Sequence, residues 1–244
     1  MRRRQSVRST RSSSRDVVAV EAHRDKRLGG GLPELRETLI ADGVADPLWF
    51  EVSKSSKAPK RIRRAIELGA DLVFVWDGDG MVQQCIDAVG DSSVTIAILP
   101  AGTANLLATN LGIPKDLADA VAIGLHGSRR ALDVGVLNGE RFAVMSGAGF
   151  DARNMGGVDG AAKKRLGRLA YLRSSTRAMG AGRRHMKIKV DGQVRFEGPA
   201  SCVLSGNVGT VTGGLRIFPE GSPTMGSSRS ASSRRTAGGT GCAS

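Results

Sequence analysis

Two uninterrupted apolar runs, each ending at a glycine-bearing turn, constrain this chain more than anything else in it. They are "DLVFVW" (71–76) and "VTIAILP" (94–100). A strand with one wet face alternates apolar and polar residues. A continuous run belongs to a strand covered on both faces, as in the middle of a parallel sheet. Two earlier segments, "DVVAVEAH" (16–23) and "PLWFEVS" (47–53), also read as strands. Helical patterns lie between and after them. "LPELRETLIADG" (32–43) has Pro33 suited to a first turn and Gly43 to a stop. "APKRIRRAIELGA" (58–70) is amphipathic, with Ile62, Ala65, Ile66 and Leu68 expected inward and its cations outward. "VQQCIDAV", "TANLLATNLG" (103–112) and "DLADAVAIGLHG" (116–127) complete the series, the last two separated by Pro114. This alternation over 16–127 predicts an α/β domain with a parallel sheet and right-handed crossovers.

From Arg129 the texture changes. "RALDVGVLNGERFAVMSGAGFD" predicts two strands joined at Asn138-Gly139, and "HMKIKVDGQVRFEG" (185–198) a second hairpin turning at Asp191-Gly192. "ASCVLSGNVG" (200–209) is a third β-type segment. Between them, 162–179 reads as a basic helix. Leu166, Leu169, Ala170 and Leu172 form its core stripe, and its cations are assigned to a solvated face rather than to a membrane. The expected organisation is a basic tail (1–15), an α/β domain (16–130), a β-rich domain (131–220) and a Ser/Arg/Gly tail (221–244).

The net charge of +13 invites a nucleic-acid partner, but its distribution argues otherwise. Six arginines lie in residues 1–15 and three in 221–244, with no acid in either stretch, so nine of the thirteen charges sit at the ends. Arg/Ser tails of this kind stay solvated. Aromatic residues are 4% of the chain, too few for base-stacking platforms, and no specific nucleic acid is expected. Cys85, Cys202 and Cys242 are widely spaced, as are His23, His126 and His185, so neither set has metal-ligand spacing. No apolar run reaches the roughly 18–20 residues of a membrane span. Reduced thiols and a cytoplasmic location are the expectation.

The chemistry lies in two turns. The first is Asp77-Gly78-Asp79-Gly80, and the second is "PAGTANLLA" (100–108). Ligands of open α/β sheets bind beyond the carboxyl ends of the strands. Glycine there lets a phosphate approach the backbone, and the amides of the next helix point at the anion. Thr103 is placed to cap its helix and offer a hydroxyl. Asn105 is placed to bond a phosphate or a carboxylate, and Asp79 to hold a cation or orient a hydroxyl.

"VFVWDGDGMV" followed by "ILPAGTANLLATNLGIP" resembles the diacylglycerol kinase catalytic family of bacterial lipid kinases, whose relatives include sphingosine kinases and, more distantly, NAD kinases. "LDVGVLNGERFAVMSGAGFDA" and "NVG…GGLRIFPE" resemble that family's later segments, so the likeness covers roughly 17–220. The resemblance implies an α/β nucleotide-binding domain followed by a β-sandwich domain, here incomplete. It implies ATP and Mg²⁺, and a lipid hydroxyl as acceptor at a membrane surface. A peripheral place at the inner membrane face follows. Carried over, Gly78, Asp79, Gly80, Met81, Gly102, Thr103 and Asn105 would contact the nucleotide. Asp79 is the catalytic candidate, and no metal ligand is assigned.

The chain departs from the family pattern in three places. Asp77 stands at the first family glycine, bringing a carboxylate to a phosphate turn, and Met81 replaces a threonine that could cap the helix. After "FPEGSPT" the family's Asp-Asp-Gly and later Asp-Gly-Glu segments are missing, and with them the expected catalytic base. The serine-rich end resembles frame-shifted sequence. A TCN serine codon read one nucleotide earlier always encodes an apolar residue, and the codons within 224–239 allow the shifted reading "DGLLEVGVVTADGG". Weak or absent activity is therefore expected, with a non-catalytic nucleotide-binding remnant and an NAD-kinase-like enzyme as the alternatives.

Overall fold

The computed structural model describes residues 16–148, 184–210, 229–236 and 239–243. These residues fall into two compact units. The first runs through Ala101 and includes Lys115–Gly127. The second holds Gly102–Pro114 and the described residues from Ser128 onward.

The first unit is built on four parallel strands: β1 (Val18–His23), β2 (Leu48–Val52), β3 (Leu72–Asp77) and β4 (Thr95–Pro100), in spatial order β2-β1-β3-β4. All six residues of β3 are buried, the five from Leu72 to Trp76 as their apolar run requires, and Asp77 with them. Helices α1 (Leu32–Ala41), α2 (Ala58–Glu67), α3 (Asp79–Val89) and α5 (Leu117–His126) cover the strands. Pro33 and Pro59 sit in the first turns of α1 and α2, where no backbone donor is lost. Asp116 caps α5 by accepting from the Asp119 amide at 3.0 Å. On α5, Gly124 lies against the Phe74 ring and the Ala97 methyl with no room for a Cβ. Along α2, Ile62 and Ala65 are buried as expected, but Leu68 ends the helix 42% exposed. It falls at the cap, where the chain turns away from the sheet.

The path of the chain distinguishes one position in this sheet. β1 leads through α1 to β2 on one side, and β2 leads through α2 to β3 on the other. The strand order therefore reverses between β1 and β3. That is the position where open α/β sheets leave a crevice at the carboxyl edge.

In the second unit, α4 spans only Leu106–Asn110, shorter than the helix expected over 103–112. Its last residue explains why the segment groups here. Asn110 Nδ2 donates to the Thr210 carbonyl at 2.9 Å, and the Thr210 amide donates to Asn110 Oδ1 at 3.1 Å. Two hairpins form where expected. β5 (Gly135–Leu137) and β6 (Glu140–Phe142) turn at Asn138 and Gly139 with φ 52° and 88°. β8 (Arg184–Val190) and β9 (Gln193–Ala200) turn at Asp191 and Gly192 with φ 51° and 79°. Positive φ at both central residues is the mirror-turn geometry that Asn-Gly and Asp-Gly favour.

β7 (Met145–Ala148), β10 (Cys202–Gly206), β11 (Arg229–Thr236) and β12 (Gly239–Ala243) form an antiparallel sheet in the order β12-β11-β10-β7. The Ser/Arg/Gly end, read from sequence as a solvated tail, thus supplies two strands. Main-chain pairing accounts for this, because a strand edge recruits any extended backbone whatever its side chains. The basic segment 1–15, the basic helix expected over 162–179 and the "GGLRIFPE" segment lie outside the described residues.

Candidate functional site

The first turn leaves β3 at the reversal of strand order. Gly78 is the N-cap of α3, in an extended conformation (φ −99°), and Asp79 opens the helix. Gly80 is exposed, with open space where a Cβ would project. Asp79 is half-buried in the first turn. Met81 neither opens nor caps the helix. It lies within the first turn at 1% exposure, packed in the core, so the residue at this position is a core residue rather than a cap.

Asp77 is the last residue of β3, and its backbone is held by the neighbouring strand. It is paired with Pro100 of β4, and its carbonyl accepts from the Ala101 amide at 3.1 Å. Its side chain is buried, the residue being 4% exposed. Oδ1 accepts from the Gly78 amide at 2.7 Å, and Oδ2 accepts from the Ser55 hydroxyl at 2.9 Å. Lys26 Nζ stands 3.7 Å from Oδ1. The loop carrying Lys26 is fixed from below, since the buried Trp76 indole donates to the Lys26 carbonyl at 3.2 Å. Lys26 and Ser55 were not singled out in the sequence. The signal that could have found them is topological. Lys26 follows β1 and Ser55 follows β2, and in a parallel sheet the loops after all strands share one edge.

Below this edge lies a second unusual group. Glu21, in mid-β1, is fully buried, and neither carboxylate oxygen has a hydrogen-bond partner. Burial pushes its pKa up to about 8, against a smaller opposing pull from Arg61. Cys85 of α3 is a free, buried thiol. Burial raises its pKa, and the Glu21 and Asp77 carboxylates add to the rise, so it is held as an inert thiol. Among the described residues, no group of three or more His, Cys, Asp or Glu side chains is placed to hold a metal ion.

The second turn follows β4 and belongs to the other unit. Asn105, not Thr103, is the N-cap of α4, and it sits in the left-handed region at φ 50°. Its side chain folds back on the turn. The Gly102 amide donates to Asn105 Oδ1 at 3.1 Å, and Asn105 Nδ2 donates to the Gly102 carbonyl at 2.8 Å. Asn105 is 3% exposed, so it shapes the turn. Thr103 is exposed and Gly102 half-buried.

Comparison with known proteins shows what this arrangement is similar to. Residues 31–137 match the diacylglycerol kinase catalytic domain. A protein of Klebsiella pneumoniae (strain 342) named "Probable lipid kinase YegS-like" is 29% identical over 198 residues, covering 79% of this chain and 66% of that protein. A Bacillus subtilis (strain 168) protein named "Diacylglycerol kinase" is 29% identical over 156 residues, covering 62% of this chain and 51% of that protein. The chain thus spans less than two thirds of the length of these relatives. The crystal structure of a diacylglycerol kinase from Bacillus anthracis str. Sterne superposes with a TM-score of 0.72 at 25% identity, covering 89% of this chain and 73% of that one. Both turns, with Asp77 and Asn105, fall inside the segment, residues 31–137, that matches the diacylglycerol kinase catalytic domain.

Proposed function

We propose that this chain is an ATP-dependent lipid kinase of low activity, transferring the γ-phosphoryl group of ATP to a hydroxyl of a diacylglycerol-like lipid. The observation that carries this is the first turn: a glycine-bearing strand-to-helix turn at the strand reversal, inside the segment that matches the kinase family. Phosphoryl transfer asks the protein mainly for positioning and charge neutralisation. The backbone at Gly78 and Gly80 would receive phosphate, and Lys26 supplies positive charge at the same edge. Asp79 would orient the acceptor hydroxyl. Gly102, Thr103 and Asn105 are assigned to the nucleotide by resemblance, Thr103 through an exposed hydroxyl and Asn105 through the turn it holds. Met81, buried, would contribute only its backbone.

Mg²⁺ is assigned as the counter-ion that arrives with ATP. The described residues offer no three-ligand cluster for a resident ion. No helix of the described residues is long and apolar enough to cross a membrane. Action at the cytoplasmic face of a membrane, where the lipid lies, is part of the proposal. Transfer of label from γ-labelled ATP to diacylglycerol, but not to a sphingoid base or NAD, is the expected result. Transfer to NAD alone would replace the lipid kinase with an NAD-kinase-like enzyme. Nucleotide binding without turnover is the second reading, favoured by the carboxylate that Asp77 places in the phosphate turn. ATP binding with no transfer to any of the three acceptors would establish it.

A further inference from the structure

Asp77 brings to the first turn more than a charge that repels phosphate. Three donors converge on its carboxylate from three different loops. They are the Gly78 amide at 2.7 Å, the Ser55 hydroxyl at 2.9 Å and the Lys26 ammonium at 3.7 Å. Each is a group that phosphate oxygens use. A backbone amide at a helix start, a hydroxyl and a lysine together make an anion seat. The seat lies at the carboxyl edge between β1 and β3, where ligands of such sheets bind. The residue that fills it is 4% exposed.

We infer that the Asp77 carboxylate is the resident anion of this seat, so that phosphate binds at the first turn only by displacing it. The inference rests on the proposed nucleotide site and names what controls it. A tethered carboxylate competes at high effective concentration and gains no translational freedom on leaving. Displacement also brings a second negative charge close to the first at an edge of reduced dielectric. Asp77 therefore sets the affinity of the turn, and Lys26 and Ser55 are its phosphate-binding side chains.

The test uses inorganic pyrophosphate as probe, titrated calorimetrically against the full chain and against Asp77→Gly, Asp77→Asn and the double variant Asp77→Gly/Lys26→Met. Removing the carboxylate is expected to tighten pyrophosphate binding by about tenfold or more, the scale of one close charge pair at a protein surface. Asp77→Asn keeps the shape and loses the charge. It is expected to show a smaller gain, and it serves where Asp77→Gly does not fold. Lys26→Met is expected to cancel the gain. Equal affinity in parent and variants, or no binding by any of them, overturns the inference. So does a gain that survives Lys26→Met. A separate assay of label transfer from ATP to diacylglycerol keeps the two ideas apart. A pyrophosphate gain without transfer retains the seat and removes the kinase. Transfer without a pyrophosphate gain does the reverse.

Discussion

At the scale of single residues, Glu21 is a costly choice in the first unit. A fully buried carboxyl with neither oxygen bonded is stable only when neutral, which is why its pKa rises to about 8. Below pH 4.5 the group is protonated folded and unfolded alike and adds no pH dependence. From about 4.5 to about 8 the unfolded chain ionises and the folded one does not, so stability falls as pH rises. Above that range the loss is constant. Glu21→Val is expected to stabilise the chain at pH 8 by roughly 3–5 kcal/mol and to flatten this dependence. Urea unfolding at a series of pH values measures it, and an unchanged slope between pH 5 and 8 would refute the assignment. Asn105 works in the opposite sense. Asn105→Ala places a Cβ-bearing residue of lower tolerance at φ 50° and removes both bonds to Gly102. A loss of about 2–3 kcal/mol is expected, and Asn105→Asp, which keeps the acceptor for the Gly102 amide, should lose less.

At the scale of elements, helix α5 shows how packing overrides propensity. Replacing a mid-helix glycine by alanine usually gains about 1 kcal/mol. At Gly124 the new methyl would meet the ring of fully buried Phe74 and the side chain of Ala97. Gly124→Ala is therefore expected to destabilise by about 1–3 kcal/mol, read as a lower urea midpoint. The elements of the first unit were legible because period and burial agree there: β3 is apolar from Leu72 to Trp76, and it is buried throughout. Boundaries were less legible. α4 begins three residues later than its apolar pattern because left-handed Asn105 interrupts it, a backbone conformation that composition does not encode. α3 begins three residues before the "VQQCIDAV" pattern because the extended Gly78 serves as its cap. The glycines of both turns were legible from sequence. Lys26 and Ser55 were not, because only the strand order β2-β1-β3-β4 brings their loops to Asp77. β11 and β12 escaped for a different reason: their pairing is described by main-chain bonds, and Ser/Arg/Gly sequence carries no alternation to announce it.

At the scale of the whole molecule, the distribution of tryptophan makes the two units separately observable. The chain has two, Trp49 and Trp76, and both lie in the first unit. Trp76 is fully buried in β3, and Trp49 carries the Arg36 guanidinium 3.7 Å over its ring. Tryptophan emission therefore reports the first unit, whereas far-ultraviolet circular dichroism reports helices and strands of both. The second unit holds α4 through the paired bonds between Asn110 and the Thr210 backbone. Asn110→Ala leaves that amide and carbonyl without their partner, at a cost of about 1–3 kcal/mol. If the units unfold independently, Asn110→Ala moves part of the dichroism curve to lower urea and leaves the tryptophan midpoint in place. Glu21→Val then raises the tryptophan midpoint and, with it, only the first unit's share of the dichroism curve. Equal shifts of both signals in both variants would mean one cooperative transition. In that case the stability lost at Glu21 would be lost to both units, and a single substitution there would stabilise both.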